Sequence, residues 1–214
     1  LDRMRALGAT LVLVPFAVAW QAFADRSYPG IEGTLIHPFD DDDFIAGHGT
    51  IGLEILEDLP DVAAVIAPVG GGGLITGVAS AFKALKPAVR IFGAEPETGA
   101  PLSLSLAKGS PQQFPDWKAS FVDGSGGREV FPRMWERMRP VVDASIVVTL
   151  EQTRHAMKLL AEKARVIAEG AGALPVAAAL TGKAGTGPIV AVISGGNIDL
   201  AKFCELVTQQ EQAS

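Results

Sequence analysis

Four consecutive glycines, Gly70–Gly73, follow the apolar run at 62–68 and precede a segment with helical spacing. Glycine loses more backbone freedom on folding than any other residue, so a row of four needs a compensating gain. One interpretation is a tight turn without a ligand, although one or two glycines would suffice for that. At the carboxyl end of a parallel strand, such a loop turns its amide groups inward, and the following helix adds its positive end. The segment therefore predicts a phosphate-binding strand–loop–helix unit.

The spacing around the glycines does not match two common nucleotide-binding motifs. A P-loop needs lysine after its last glycine, but Val78 follows Gly77. A dinucleotide fingerprint that starts at Gly71 would need glycine where Thr76 stands. Glu95 ends the next predicted strand, where the ribose-binding acid of that fingerprint would lie, so a nucleotide remains the weaker alternative. A single monophosphate fits the loop better.

Strand and helix patterns alternate along most of the chain. The predicted strands are 9–14, 33–37, 62–68, 89–95, 145–148 and 188–193. The predicted helices are 1–7, 16–26, 48–58, 74–86, 150–166, 172–181 and 198–210, and the region 96–139 is predicted to be looser. Short strands that alternate with helices predict an α/β fold with a doubly wound, mostly parallel sheet.

Composition and charge exclude several classes of protein. The net charge is −6 and the basic residues are scattered, which argues against a nucleic-acid-binding surface. Cys204 is the only cysteine, so no internal disulfide can form, a reducing cytoplasmic location is expected, and we expect the side chain to be buried. Residues 7–24 are uncharged and end in a pattern typical of a cleaved signal. Pro15 and the early Asp2 favour a strand and a helix there, with export as the alternative and a membrane span weaker still.

Two further segments of the chain each have more than one interpretation. Ser194, Gly195, Gly196 and Asn197 form a second glycine-rich turn after an apolar strand, and two such turns at one sheet suggest a ligand with two polar ends. A plain capped helix start is the alternative. The acidic run 40–43 is interpreted as a solvated turn rather than a metal site, and Arg133, Arg137 and Arg139 as a solvated face.

Short motifs in a fixed order make the chain resemble threonine dehydratases and serine racemases, which are fold type II pyridoxal-phosphate enzymes with the tryptophan synthase β-like fold. The motifs are HPFDD (37–41), IAGHGTIGLEIL (45–56), PVGGGGLITG (68–77), AEPE (94–97), DG (123–124), AEGAGA (168–173) and SGGNID (194–199). Each is weak alone, but the ordered set is specific. It covers nearly the whole chain and is similar to the carboxyl-terminal two-thirds of these enzymes.

The resemblance implies a role for each candidate site residue. It implies pyridoxal 5'-phosphate as cofactor, with its phosphate on the backbone amides of Gly70, Gly71, Gly72, Gly73 and Leu74. Ser194 would hydrogen-bond the pyridine nitrogen, and His48, Gly124 and Glu169 would line the active site.

The resemblance also implies a reaction. It is β-elimination from threonine or serine, which yields a 2-oxo acid and ammonia. The alternatives are an amino-acid racemase of the same family and a phosphate- or nucleotide-binding module without catalysis. The expected partners are a small amino-acid substrate and a second copy of the chain or a missing amino-terminal segment.

Some parts of the family pattern are missing from these residues. The Schiff-base lysine lies in an S-x-K-x-R-G-like motif and the substrate carboxylate is held by an S-x-G-N-H-x-Q-like loop, and neither motif occurs here. We therefore predict no catalytic residue in this chain, a sheet that is incomplete at its amino-terminal side, and no dehydration by the isolated chain. Residues 1–36 would be a remnant of the small domain, and 37–214 the carboxyl-terminal part of the large one.

Two departures concern single residues. His48 stands where the family usually has glutamine, and is interpreted as a polar lining or helix-start residue rather than a base. In racemase-like members a divalent cation is bound by the glutamate that matches Glu95 and by a downstream aspartate. Pro101 stands at the position that we align with that aspartate, so no metal is predicted, with Glu95 as a weak possibility.

Overall fold

The structure is a computed structural model that describes residues 1–208, apart from the side chain of Phe16. It divides into two compact units, Leu1–His37 and Pro38–Ser214. The end of the last predicted helix, 209–210, lies outside the described residues. None of the helices in the described part of the chain is both long and apolar enough to cross a bilayer.

The first unit holds two helices, α1 (Asp2–Ala6) and α2 (Phe16–Asp25). The strands predicted at 9–14 and 33–37 are wrong, because all strands of the described residues lie in the second unit. Apolar β-branched residues form a strand only where a neighbouring strand supplies hydrogen bonds and packing. Val12 and Leu13 are instead exposed by 51% and 64%.

The second unit is built on a parallel sheet. The strands β1 (Ala64–Pro68), β2 (Arg90–Pro96), β3 (Ala144–Val148) and β4 (Ile189–Ala191) lie in the order β3-β2-β1-β4. All pairs are parallel, with Ala64 opposite both Arg90 and Ile189. The carboxyl ends of the strands therefore meet at one edge of the sheet, where ligands bind in folds of this class.

Helices cover both faces of this sheet. They are α3 (Asp42–Asp58), α4 (Gly73–Leu85), α5 (Pro101–Lys108), α6 (Pro132–Met138), α7 (Leu150–Leu159), a π-helical segment (Leu160–Ala164), α8 (Gly170–Leu180) and α9 (Leu200–Thr208).

 The strand β1 alternates between the two faces: Ile66 packs in a core with Phe92 and Leu174, and Val65 in a core with Ile75 and Phe82. The predicted doubly wound α/β fold is confirmed.

The start of α3 differs from the prediction. The helix begins at Asp42 rather than at 48, because the Asp41 carboxylate accepts a hydrogen bond from the amide of Phe44 at 3.0 Å and caps it. The acidic run is therefore not simply a solvated turn. Its first member, Asp40, has only 13% of its side chain exposed and lies beside Arg133 and Arg137.

The region 96–139 is more ordered than predicted. It contains α5 and α6, and each begins with a proline, Pro101 and Pro132, at its first position. Proline is favoured there because the first turn of a helix needs no amide donor from that residue. The helix predicted at 150–166 ends earlier, in the π-helical segment, where Arg165 adopts a left-handed conformation with φ of 60°.

Two smaller outcomes concern α4 and α9. The prediction of 74–86 for α4 is confirmed to within one residue, and Lys86 follows its last residue. Cys204 is exposed, against the expectation of burial. The helix α9 buries Phe203 and Leu206, which lie on its other face.

Candidate active site

The glycine row opens α4 directly after β1. Val69 still pairs with the sheet, its amide donating to the carbonyl oxygen of Ala94 at 3.1 Å. Gly72 is the N-cap and has a left-handed φ of 94°, which glycine adopts without strain. The chain therefore turns from strand to helix within four residues, at the sheet edge where the strands end.

The main-chain amides of this turn are available to a ligand. Among residues 1–208, the N–H groups of Gly70–Leu74 donate no hydrogen bond to another residue. Gly72 and Gly73 are nevertheless buried. A row of amides without acceptors, at the positive end of a thirteen-residue helix, is a donor set suited to a phosphate dianion.

Close neighbours explain why three of these residues carry no side chain. A Cβ on Gly71 would lie 2.1 Å from Cγ of Phe39, and one on Gly73 would lie 2.7 Å from the carbonyl oxygen of Phe39. A Cβ on Gly72 would lie 2.5 Å from Sδ of Met138. The loop is thus packed against protein, and any side chain there would displace either the loop or its neighbours.

A second loop, 123–126, lies against the first. A Cβ on Gly70 would lie 3.2 Å from the carbonyl oxygen of Gly124. The Ser125 hydroxyl donates to the carbonyl oxygen of Val69 at 2.6 Å, and the Gly126 amide donates to the same oxygen at 3.1 Å. Trp117 also stabilises this loop, because its Nε1 donates a hydrogen bond to the carbonyl oxygen of Gly126 at 3.0 Å.

Glu169 joins this second loop to the turn at 194–197. It is the N-cap residue of α8, and its amide donates to the carbonyl oxygen of Gly195 at 3.1 Å. A Cβ on Gly124 would lie 3.2 Å from Oε1 of Glu169, and one on Gly195 would lie 2.4 Å from that oxygen. A side chain at 195 would displace this carboxyl group, and one at 124 would shift it slightly.

The carboxyl group of Glu169 has an altered affinity for protons. Burial raises its pKa, the negative charge of Asp123 raises it further, and a hydrogen bond from the backbone of Asn197 lowers it in part. At a given pH, a larger share of Glu169 is therefore protonated than of an exposed glutamate.

The structure brings most of the predicted site residues to one place. Gly70, Gly124, Glu169 and Gly195 form a continuous series of close contacts, and Ser194 directly precedes Gly195 with its side chain exposed. These contacts join the two glycine-rich turns at the same edge of the sheet. That they bind the cofactor or line the active site stays a prediction.

His48 lies in a different environment. It lies on α3, and a Cβ added to Gly77 of α4 would lie 2.7 Å from the Cβ of His48. Its ring packs edge-on against that of Phe44, with ring centroids 4.7 Å apart. Burial lowers its pKa. Neither of these neighbours belongs to the glycine row, and the interpretation of His48 as a lining residue stays a prediction.

Glu95 binds the start of α5. Its Oε1 accepts from the amide of Leu102 at 2.8 Å, and its Oε2 accepts from the amide of Ser103 at 2.8 Å and from the hydroxyl of Ser145 at 2.6 Å. Burial raises the pKa of Glu95 to about 7, although all three hydrogen bonds oppose that change. Within residues 1–208, no group of three or more potential metal ligands is found.

Sequence reasoning missed several residues that shape the site. Phe39, Ser125, Trp117 and Met138 are the neighbours that fix the two loops. A signal was present for Phe39 and Ser125, because each lies within or beside a motif of the family, HPFDD or DG. No local pattern marked Trp117 or Met138, which reach the loops from distant parts of the chain.

Comparisons with known proteins agree with this geometry. The sequence model of the family described as "Pyridoxal-phosphate dependent enzyme" matches residues 1–195. An L-threonine ammonia-lyase of Thermotoga maritima is 41% identical over 212 residues, which cover 98% of this chain and 52% of that protein. The catabolic L-threonine dehydratase TdcB of Staphylococcus aureus is 42% identical over 81% of this chain and 51% of its own length.

Solved structures give the same result. Threonine deaminase isoform 2 of Solanum lycopersicum superposes with a TM-score of 0.82 and 32% identity, over 98% of this chain and 63% of that one. Maize serine racemase superposes with a TM-score of 0.74 and 36% identity, over 81% and 56%. The chain spans about half the length of the curated relatives it matches. The predicted resemblance is confirmed.

Proposed function

We propose, from the premise that this chain belongs to the pyridoxal-phosphate dependent enzyme family, that the complete protein eliminates water from threonine or serine and that water then hydrolyses the resulting enamine, which releases ammonia. The products would be the corresponding 2-oxo acid and ammonia. The proposal rests on relatives that are named for this reaction on threonine and are more than 40% identical. Threonine is the substrate that these names favour.

The observation that carries the proposal is the row of amides at Gly70–Leu74 without acceptors among the described residues. The row fits the phosphate of pyridoxal 5'-phosphate because it offers several backbone donors at the positive end of α4, directly after a strand. Binding the phosphate there would hold the cofactor beside the second loop and Glu169, which adjoin the same turn.

Each remaining residue would then have a limited task. When bound, pyridoxal phosphate supplies the electron sink for the electron pair that remains on the substrate after it loses a proton. Ser194 would offer a neutral hydroxyl to the ring nitrogen, and a hydroxyl cannot keep that nitrogen protonated as a carboxylate would. Glu169, whose pKa is raised by burial, would present its carboxyl group beside the loop 123–126, where it could exchange a proton.

Racemisation is the second candidate function. It is favoured by the likeness to serine racemases of maize and of Dictyostelium discoideum, at 36% and 32% identity. Both reactions begin with removal of the same α-proton, so the fold and the amide row support them equally. The two candidates are distinguished by their products.

The test is to supply the protein with pyridoxal phosphate and L-threonine or L-serine and to measure 2-oxobutyrate, pyruvate and D-amino acid together. We expect 2-oxobutyrate from threonine as the main product of the complete enzyme, which includes the lysine-bearing segment that the resemblance implies, and a predominance of D-serine would favour the racemase. Absence of cofactor binding, with nucleotide bound instead, would overturn the proposal and favour a non-catalytic module. The expected lack of activity of the 214-residue chain alone stays a prediction, checked by the same assay.

Self-association and a cytoplasmic location are further parts of this proposal. Strand β4 lies at an edge of the sheet and its three residues are only half-buried. An edge strand offers unpaired backbone groups to another chain or segment. We expect an oligomer in sedimentation at micromolar concentration, and a stable monomer would contradict this. The assignment of 1–36 and 37–214 to parts of a small and a large domain is proposed on the same footing.

A further inference from the structure

The segment that precedes α3 forms one wall of the glycine row. The ring of Phe39 occupies the space beside Gly71, and its carbonyl oxygen occupies the space beside Gly73. The shape of the amide row therefore depends on where residue 39 is held. None of the roles that the family resemblance implies falls on this segment.

Helix α6 contacts both Phe39 and the glycine row. The ring of Phe39 stacks on that of Phe131, the N-cap residue of α6, with centroids 5.6 Å apart and planes at 29°. The last residue of the same helix, Met138, fills the space beside Gly72. Both ends of a helix of only seven residues thus pack on the segment or on the row.

Ion pairs connect the same two elements. Asp40 lies 3.0 Å from Nε of Arg133 and 3.3 Å from Nε of Arg137, and only 13% of its side chain is exposed. Arg137 also pairs with Asp42 at 2.5 Å. Because Asp40 is largely buried and follows Phe39 directly, these pairs restrict the position of the ring more strongly than an exposed pair would.

We propose that Asp40 is a positioning residue, which pairs with α6 to hold Phe39 against the glycine row and so keeps the amides in their phosphate-binding arrangement. The inference rests on the proposed function, since the ligand is the phosphate of pyridoxal phosphate. A row of donors that is held in place loses less conformational entropy on binding than one that must be ordered by the ligand. Loss of Asp40 would therefore weaken binding at the phosphate end only.

The test compares Asp40→Asn with Asp143→Asn in the protein prepared without cofactor. Asp143 pairs with Lys83 at 2.9 Å at the opposite end of α4 and also accepts from the amide of Ile91 at 2.7 Å, so its substitution removes an ion pair and a hydrogen bond away from the row. Dissociation constants are measured for pyridoxal phosphate, inorganic phosphate and pyridoxal. We expect Asp40→Asn to weaken the first two about tenfold and to leave pyridoxal unchanged, and Asp143→Asn to change none of them.

A second readout needs no cofactor. The amide of Thr76 donates to the carbonyl oxygen of Gly72 at 3.0 Å, so its hydrogen exchange reports the order of the loop and of the first turn of α4. We expect its exchange to become about tenfold faster in Asp40→Asn and to stay as in the wild type in Asp143→Asn. This holds whether or not the protein binds pyridoxal phosphate.

The outcomes separate the two proposals. The positioning role would be overturned if Asp40→Asn weakened phosphate and pyridoxal binding equally. It would also be overturned if this variant changed neither phosphate binding nor the hydrogen exchange of Thr76. If Asp40→Asn does not fold, Arg133→Gln decides, because Arg133 has 55% of its side chain exposed and supplies one of the two pairs. A wild-type protein that binds no pyridoxal phosphate would refute the proposed function, and Thr76 exchange would still decide the role of Asp40.

Discussion

Two helices that follow neighbouring strands of the sheet begin in opposite ways. Helix α4 follows β1, and the amides at its start have no acceptor among residues 1–208. Helix α5 follows β2, and the Glu95 carboxylate takes the amides of Leu102 and Ser103. Both starts lie at the carboxyl edge of one parallel sheet. A position at that edge therefore does not by itself leave amides open to a ligand, since a nearby side chain can accept from them, as Glu95 does.

The largest effect is expected from adding a side chain at the start of α4, where the amides have no acceptor among residues 1–208. Gly71→Ala would place a methyl group 2.1 Å from Cγ of Phe39, and we expect a loss of about 3 kcal/mol in the free energy of unfolding. Displacement of the row should also weaken pyridoxal phosphate binding about a hundredfold. Chemical denaturation and cofactor titration measure the two effects.

Gly47→Ala is the matched control for this substitution. Gly47 lies within α3 and a Cβ there meets nothing within 4 Å. Alanine in a helix interior is favoured over glycine by about 1 kcal/mol, so this variant should be at least as stable as the wild type and bind the cofactor normally. Equal behaviour of the two variants would contradict the packing of Phe39 on the row.

Removing the carboxyl group that accepts from the first amides of α5 should have the next largest effect. Glu95→Ala would leave two amides and the Ser145 hydroxyl without their acceptor in a fully buried place. We expect a loss of about 3 kcal/mol at pH 5, measured by urea denaturation. Glu97→Ala is the control, because Glu97 accepts one hydrogen bond, from the amide of Leu150 at 2.8 Å, at the surface. Its loss should be about 1 kcal/mol or less.

The carboxyl group of Glu95 should also make the stability of the protein depend on pH. The pKa of Glu95 is raised from 4.5 to about 7 in the folded protein. A raised pKa favours the protonated folded form, so its contribution is complete below pH 4.5 and is lost as the pH rises through about 7. The difference in unfolding free energy between wild type and Glu95→Ala should thus shrink from pH 5 to pH 8. A difference that grows over this range would show that the charged form is the favoured one.

The smallest effect is expected at the start of α7, where an exposed side chain accepts the hydrogen bond of a helix amide. Thr149 caps α7 by accepting from the amide of Gln152 at 3.0 Å, and the Gln152 side chain accepts from the amide of Thr149 in return. Thr149→Ala should cost about 1 kcal/mol and leave cofactor affinity unchanged. Thermal denaturation measures the first effect, and a change in affinity would mean that α7 is coupled to the site.

Much of the second unit was predictable from local patterns. The strand 62–68, the glycine row and the helix 74–86 were found because apolar runs, glycines and a following proline are local signals. The strands predicted at 9–14 and 33–37 failed because the same apolar pattern forms a strand only beside a partner. The helices α5 and α6 were missed because Pro101 and Pro132 suggested loops, although each proline opens a helix.

The sequence alone determined that the chain turns from strand to helix at Gly70–Gly73, because a row of glycines between an apolar run and a helical segment can adopt the left-handed backbone that such a turn needs. The ordered motifs also determined the family. Only the tertiary structure decided that Glu95 closes the start of α5 and that Phe39 and Met138 support the row. Those contacts join residues that are distant in the chain, and their energies depend on burial, which no local pattern contains.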